Sequence, residues 1–158
     1  MLLPMFKNYL LENGILDDNV IYINFESAMY DEIKDYKDLY NYVKTRVKKE
    51  KIYLLLDEVQ NVLALEKAIN SFKSDFDIDI YITGSNAYLI SHELSTLLSG
   101  RYIEIKMYPL SFKEFLTFNN YNNSNLEEKF NEYLKYGGLP AISLIKNNDL
   151  VLSYLNDI

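Results

Sequence analysis

Two acidic side chains stand next to each other where an apolar stretch of this sequence ends. Residues 52–56 read IYLLL, and Asp57 and Glu58 follow directly. The segment 83–86, Thr-Gly-Ser-Asn, follows a second apolar stretch. A carboxylate can hold Mg²⁺, directly or through water, a neighbouring glutamate can orient an attacking water, and hydroxyl or amide groups can reach a phosphate. These residue types predict phosphate chemistry, provided that the fold brings the two segments together.

The apolar pattern predicts alternating helices and strands over the first two thirds of the chain. Strands are expected over 20–25, 52–56, 78–85 and 101–107, with helices over 3–10, 36–47, 62–72 and 87–98. This alternation is typical of a parallel sheet covered by helices, so the predicted fold class is α/β, a three-layer sandwich. After Pro109 the pattern becomes helical, which predicts a sheet-containing core over 1–110 and a helical extension over 111–158.

The predicted topology gives the polar segments a common location. In open α/β sheets, ligands bind at the carboxyl ends of the strands. Asp57 and Glu58 follow one predicted strand, and Thr83, Ser85 and Asn86 follow the next, so we expect all five along one edge of the sheet. The alternative is structural: Asp57 caps the following helix and Thr-Gly-Ser-Asn is an ordinary turn. Each segment alone favours that alternative, but the two on successive strands favour a site.

Composition excludes several other classes of site. The 158 residues carry 23 acidic and 16 basic side chains, a net charge of −7, which disfavours general binding to nucleic acid. There is no cysteine, and His92 is the single histidine, so thiol nucleophiles and cysteine or histidine metal clusters are excluded. No apolar run is long enough to suggest a membrane span, and the first residues do not resemble a signal peptide. We therefore expect a cytoplasmic protein.

Four segments of the chain resemble a known family in the order in which that family carries them. They are LLLDEVQN, YITGSNAYLIS, LLSGRYIEIKMYPLSFKEFL and YGGLPA, and they extend over roughly residues 52–141. Together they resemble the AAA_14 family of prokaryotic AAA-like ATPases, whose members are usually joined to a C-terminal DUF4143 domain. The resemblance implies a sheet of the P-loop NTPase type, with ATP and Mg²⁺ as cofactors.

The resemblance also implies roles for individual residues. LLLDE resembles the Walker B strand, so Asp57 would be the Mg²⁺ carboxylate and Glu58 the catalytic base. TGSNA resembles the sensor-1 region, which would put Ser85 and Asn86 near the γ-phosphate. Arg101 matches a family arginine that is a candidate phosphate sensor or arginine finger, although a surface arginine at the start of a strand is an equal alternative.

The chain departs from the family pattern in its phosphate loop. No G-x-x-x-x-G-K-[ST] motif occurs, because none of the five glycines is followed by Lys-Ser or Lys-Thr. We interpret the chain as the middle of a longer ATPase that lacks its first strand and phosphate loop, and we expect it to bind ATP weakly or not at all. A missing strand would leave an exposed sheet edge, which predicts self-association.

Two other functions remain open at this stage. Glu104 and Lys106 have the E-x-K form found on a strand of metal-dependent nucleases, with Asp57 as a possible further metal ligand. Alternation of Tyr102, Glu104 and Lys106 is equally what an edge strand with one wet face produces. The other alternative is a non-catalytic interaction domain on an ATPase scaffold. Without a phosphate loop, Asp57 and Glu58 would have no phosphates to act on.

Overall fold

Three short strands carry the polar segments identified in the sequence. The computed structural model describes residues 2–48, 50–84, 102–121, 125–145 and 147–156. The chain divides into two units, residues 1–102 and 103–158. The elements of the first unit are α1 (Leu2–Glu12), β1 (Val20–Asn24), α2 (Tyr36–Lys44), β2 (Ile52–Asp57), α3 (Leu65–Asp75) and β3 (Ile78–Ile82).

The strands form a parallel sheet in the order β1-β2-β3. In the register of the sheet, Asn24 pairs with Asp57, and Leu56 pairs with Ile82. The central strand β2 is buried at every position except Tyr53. The sequence prediction of a strand apolar on both faces is therefore confirmed, and its cause is cover by helices on both sides of the sheet.

The two faces of the sheet are covered by different helices. Alternate residues of a strand point to opposite faces. Leu55 packs with Leu3 and Leu10 of α1, whereas Leu54 and Leu56 belong to the larger core that includes α2 and α3. This arrangement is the three layers of the predicted α/β sandwich. Asp57 is two residues after Leu55 on the same strand, so its side chain lies on the same face of the sheet as that of Leu55, the face that α1 covers.

Local sequence signals mark the start of α2 and the end of α1, but not the start of α3. Asp35 forms a capping box with Asp38 at the start of α2. Gly14 has a φ of +88°, which a residue without a Cβ adopts without strain, and it follows the end of α1. The helix α3 begins after Ala64, whose φ of 56° is unusual for a residue with a side chain.

The second unit is helical in its described part. Its helices are α4 (Phe112–Phe118), α5 (Leu126–Tyr136), α6 (Pro140–Leu144) and α7 (Asn148–Asn156). Phe112 of α4 packs edge-on against Phe130 of α5, with ring centroids 5.1 Å apart, and Phe115 is buried beside Tyr133. All four helices were predicted from the sequence.

The predicted fourth strand is wrong for the part that the structure describes. Residues 102–110 have no regular secondary structure, and Ile103 is 91% exposed. A strand needs a neighbouring strand for its backbone hydrogen bonds and cover for its apolar side chains. The alternation of apolar and polar residues over 101–107 does not show that either is present. Glu104 and Lys106, separated by 3.8 Å in an exposed ion pair, therefore do not lie on a strand. The helix predicted over 87–98 lies outside the described residues, as does His92.

Within the described ranges, no helix is both long enough and apolar enough to cross a bilayer.

Candidate functional site

Asp57 ends the central strand with a nearly buried carboxylate. Only 7% of its surface is exposed, and it is one of two polar residues in the buried set of the described chain. A buried carboxylate is costly unless hydrogen bonds replace its lost water. Both of its oxygens have such a partner, and both partners are hydroxyl groups from the flanking strands.

Tyr22 and Thr83 hold the Asp57 carboxylate from opposite sides. The Tyr22 hydroxyl, on β1, donates to Asp57 Oδ2 over 3.0 Å. The Thr83 hydroxyl, directly after β3, donates to Asp57 Oδ1. Side chains from β1, from the end of β2 and from the residue directly after β3 therefore meet at the carboxyl edge of the sheet. The alternative that Asp57 caps the next helix is wrong, because Ala64 occupies the N-cap of α3.

The tyrosine of this cluster keeps its proton across the physiological pH range. Burial, followed by the hydrogen bond to the Asp57 carboxylate, raises the pKa of Tyr22 to about 12. The phenol is therefore a permanent donor to Asp57 near neutral pH. With one hydroxyl on each oxygen, the carboxylate is fixed in orientation and retains lone pairs that can accept further ligands.

Glu58 lies immediately beyond the strand in a left-handed backbone conformation. Its φ and ψ are 57° and 53°, and a short 3₁₀ turn, Val59–Asn61, follows. The backbone N–H of Glu58 donates to the Thr83 hydroxyl oxygen over 3.4 Å. Its side-chain Oε2 accepts from Gln60 Nε2 at 2.9 Å. The acidic pair is thus connected to the end of β3 through Thr83, and the second carboxylate is oriented by Gln60.

Two members of this cluster were missed in the sequence. In the sequence, Tyr22 lies within the apolar stretch 20–25, and Gln60 is one of the polar residues that follow the acidic pair. Tyr22 could have been identified from its position two residues before the end of β1. From there its long side chain reaches toward the carboxyl edge of the sheet. Gln60 Oε1 is buried and has no hydrogen-bond partner in the described structure, which marks the same place.

The predicted site residues fall into two groups. The structure brings together Asp57, Glu58 and Thr83. The other three, Ser85, Asn86 and Arg101, lie outside the described residues. The nuclease hypothesis needed Glu104 and Lys106 on a strand beside that of Asp57, and the absence of a strand over 102–107 removes its basis.

The donor set can be tested against the ion that the sequence suggests. Mg²⁺ prefers oxygen ligands, keeps several of its waters, and is commonly held by one or two carboxylates together with substrate phosphates. Asp57 and Glu58 supply that number of carboxylates. No cluster of three acidic, histidine or cysteine side chains occurs in the described ranges, so a fully protein-made metal cage is absent there. The residues present therefore fit Mg²⁺ in its usual mode.

Comparison with known proteins identifies the family. The model of the AAA_14 family, an AAA domain, matches residues 1–116. The chain belongs to the AAA_14 family. AAA_14 is a family of AAA-like P-loop ATPases, and the three-stranded parallel sheet with helices on both faces agrees with that assignment. No solved structure matches the chain significantly.

Two uncharacterized proteins are similar to most of this AAA_14 chain. One, from Haemophilus influenzae, is 46% identical over 146 residues, which cover 90% of this chain and 36% of that protein. The other, from Methanocaldococcus jannaschii, is 34% identical over 159 residues, with 92% of this chain and 35% of that protein covered. The chain therefore spans about a third of the length of these relatives.

Proposed function

We propose that the cluster at the carboxyl edge is the metal- and water-handling part of an ATP-hydrolysing site. The observation that carries the proposal is the Asp57 carboxylate, buried at the end of the central strand and bound by one hydroxyl on each oxygen. Membership of an AAA-like ATPase family supports ATP and Mg²⁺ as the cofactors. In this proposal the LLLDE segment is the Walker B strand.

Each residue of the cluster has a separate task in the proposal. Asp57 holds Mg²⁺, directly or through a water, while Tyr22 and Thr83 fix the orientation of its carboxylate. Glu58 accepts a proton from, or orients, the attacking water, and Gln60 fixes the Glu58 side chain. When bound, Mg²⁺ neutralises charge on phosphate oxygens. The cluster thus supplies preorganised oxygen atoms on a rigid sheet edge.

Three further residues are assigned by family resemblance alone. Ser85 and Asn86 belong to the segment that resembles sensor 1, and we assign them to contacts with the γ-phosphate. Arg101 is assigned as a sensor of the phosphate or as an arginine finger. These assignments follow the matching of sequence segments.

The isolated chain is proposed to have low affinity for nucleotide. The backbone amides and the lysine of a Walker A loop normally supply most contacts to the phosphates, and no G-x-x-x-x-G-K-[ST] motif occurs among the 158 residues. In the alternative function, the same scaffold serves as a non-catalytic interaction domain, for which the missing motif is the supporting observation.

Two titrations separate the parts of this proposal. Calorimetric titration of the chain with Mg·ATP should give no saturable binding in the micromolar range, and micromolar affinity would contradict the proposed weakness. Titration with Mn²⁺ alone tests the metal site, because it needs no nucleotide. Loss of Mn²⁺ binding in Asp57→Asn would support the metal role even where ATP does not bind.

A further inference from the structure

Four hydrogen bonds join Thr83 to the end of the central strand. Its backbone N–H donates to the Leu56 carbonyl at 2.9 Å, and its carbonyl accepts from the Val59 N–H at 3.2 Å. Its hydroxyl donates to the Asp57 carboxylate and accepts from the Glu58 N–H at 3.4 Å. Thr83 is therefore bonded once to each of four consecutive residues, and all four belong to the described part of the chain.

The pairing of β2 with β3 begins with the regular hydrogen bonds of a parallel ladder. Ile52 lies opposite Ile78, so Lys51 lies opposite Asp77. The Asp77 carbonyl accepts from the N–H of Ile52 at 2.9 Å. A carbonyl that faces β2 thus accepts from the residue one position after its opposite residue, as is usual between parallel strands.

The carboxyl end of the same ladder departs from this pattern by one residue. Continuing the register by one position puts Asp57 opposite Thr83. The regular pattern would then give the Thr83 carbonyl the N–H of Glu58, but it accepts from the N–H of Val59 instead. Glu58 is therefore an extra residue, a one-residue bulge at the end of β2. Its φ of 57° is the left-handed conformation that a glycine adopts in one common type of bulge.

The bulge at Glu58 has two costs that the Thr83 hydroxyl can offset. A left-handed backbone is unfavourable for a residue with a Cβ, and the N–H of Glu58 loses the carbonyl that a regular ladder would give it. The Thr83 hydroxyl oxygen replaces that carbonyl as the acceptor. It can accept from Glu58 while it donates to Asp57, because a hydroxyl has one proton and two lone pairs. A side chain of the same shape without the hydroxyl could do neither.

We propose that Thr83 is a positioning residue for Glu58, and that its hydroxyl maintains the bulge that directs the second carboxylate. In a regular strand, the side chains of Asp57 and Glu58 would point to opposite faces of the sheet. The bulge changes the direction of Glu58, whose carboxylate then accepts from the Gln60 amide at 2.9 Å. This role rests on the proposed function only where Glu58 is taken to act on a water. The bulge itself does not depend on that function.

The same hydrogen bonds separate Thr83 from direct contact with a phosphate. A carboxylate only accepts hydrogen bonds, so the single hydroxyl proton of Thr83 is committed to Asp57. A phosphate oxygen is also an acceptor, and it would have to take this proton away from Asp57. Thr83 therefore acts through the two neighbouring carboxylates, by orienting Asp57 with its proton and Glu58 with its lone pair.

NMR spectra of the isotopically labelled chain test this role without metal or nucleotide. A left-handed residue brings its own amide and α protons close together, so the NOE between these protons of Glu58 should be strong in the natural chain. Thr83→Ser keeps a hydroxyl and should keep the strong NOE. Thr83→Val keeps the shape without the hydroxyl, and we expect Glu58 to return to the regular ladder with a several-fold weaker NOE. The Val59 N–H then loses its carbonyl, and its exchange with solvent should be at least about tenfold faster, as for one lost hydrogen bond.

Tyr22→Phe is the matched control, because it removes the other hydroxyl from Asp57 and leaves Thr83 intact. The Glu58 NOE should stay strong in this variant, and Val59 exchange should be unchanged relative to neighbouring amides. A strong NOE that persists in Thr83→Val overturns the role of Thr83, as does a weak NOE in the natural chain. If Thr83→Val does not fold, adding Glu58→Gly should restore folding, because glycine adopts the left-handed conformation without support. Failure of this rescue also contradicts the role.

Titration of the natural chain with Mn²⁺ separates a failure of this role from a failure of the proposed function. If Thr83→Val loses the bulge but the natural chain binds no Mn²⁺ at Asp57, the metal role of Asp57 fails and the positioning role of Thr83 stands. If Mn²⁺ binds at Asp57 but the Glu58 NOE is equally strong in Thr83→Val, the positioning role alone fails. Mn²⁺ binding together with a bulge that depends on the hydroxyl supports both.

Discussion

The Tyr22 hydroxyl donates a hydrogen bond to the Asp57 carboxylate across two adjacent strands, with 3.0 Å between Oη and Oδ2. The two residues are 35 positions apart in the sequence, and the parallel register brings them together. Thr83, directly after β3, completes the arrangement from the other side. A carboxylate held in this way costs less to bury and has a fixed orientation toward a ligand. The proposed role of Asp57 as a metal ligand depends on this arrangement.

Tyr22→Phe should lower the stability of the chain without changing its fold. The substitution removes one hydrogen bond to a charged group and leaves the ring in place. We expect the free energy of unfolding to fall by about 1.5–3 kcal/mol, the range for a hydrogen bond to a charged group. Urea unfolding followed by circular dichroism measures the difference. Tyr9→Phe is the matched control, because Tyr9 is 58% exposed, and it should have almost no effect. Equal effects of the two substitutions would contradict the importance of the Tyr22 contact.

The Tyr22 phenol also predicts how stability depends on alkaline pH. Its pKa is raised from 10.0 to about 12 in the folded chain, first by burial and then by Asp57. Above pH 10 the unfolded chain loses this proton while the folded chain keeps it, so the contribution is complete below pH 10 and is lost as the pH rises toward 12. The difference in stability between natural chain and Tyr22→Phe should therefore shrink over that window. A constant difference from neutral pH to pH 12 would contradict the raised pKa.

Replacing Ala64 by glycine should stabilise the chain, because Ala64 has a positive φ. Ala64 has a φ of 56°, which costs a residue with a side chain about 1 kcal/mol. Ala64→Gly should therefore raise the free energy of unfolding by up to about 1 kcal/mol, offset in part by the greater freedom of glycine in the unfolded chain. Ala68→Gly, in the middle of α3, is the control and should destabilise by about 1 kcal/mol. The two substitutions should shift the urea midpoint in opposite directions.

A side chain at Gly138 would clash with the neighbouring backbone. A Cβ at this position would lie 2.0 Å from the carbonyl oxygen of Leu110, whose N–H donates to the Gly138 carbonyl at 2.7 Å. Gly138→Ala must displace this backbone contact, and we expect a loss of about 3 kcal/mol. Gly14→Ala is the control. A Cβ at Gly14 would have no atom within 4 Å, and its φ of +88° should cost about 1–2 kcal/mol of backbone strain. Thermal unfolding of the two variants measures the contrast.

The pattern of apolar residues in the sequence predicted the buried strands of the sheet. The strands β1, β2 and β3 lie where the apolar stretches are, because a covered parallel strand must be apolar on both faces. The meeting of Asp57 and Thr83 was predictable too, since the carboxyl ends of parallel strands share one edge. The predicted strand over 101–107 was wrong in its described part, because alternation does not specify a partner strand.

The remaining features of the site depend on tertiary contacts that local pattern does not encode. Tyr22 looks like any aromatic residue of a strand until the register places its hydroxyl beside Asp57. The left-handed backbone of Glu58 and Ala64 has no glycine or asparagine to signal it. Gln60 acquires a role only when the turn Val59–Asn61 brings its amide group to Glu58. These contacts need the folded chain to become visible.

The role of Asp57 as a metal ligand can be tested by titrating the isotopically labelled chain with Mn²⁺ and following the paramagnetic broadening of its amide signals. Mn²⁺ accepts the same oxygen ligands as Mg²⁺ and broadens only nearby nuclei. We predict that the signals of Asp57, Glu58 and Thr83 broaden first, and that Asp57→Asn abolishes this effect. Glu32→Gln, which removes an exposed carboxylate instead, should leave it unchanged. Broadening elsewhere in the chain, or unchanged broadening in Asp57→Asn, would contradict the assignment of Asp57 as the metal ligand.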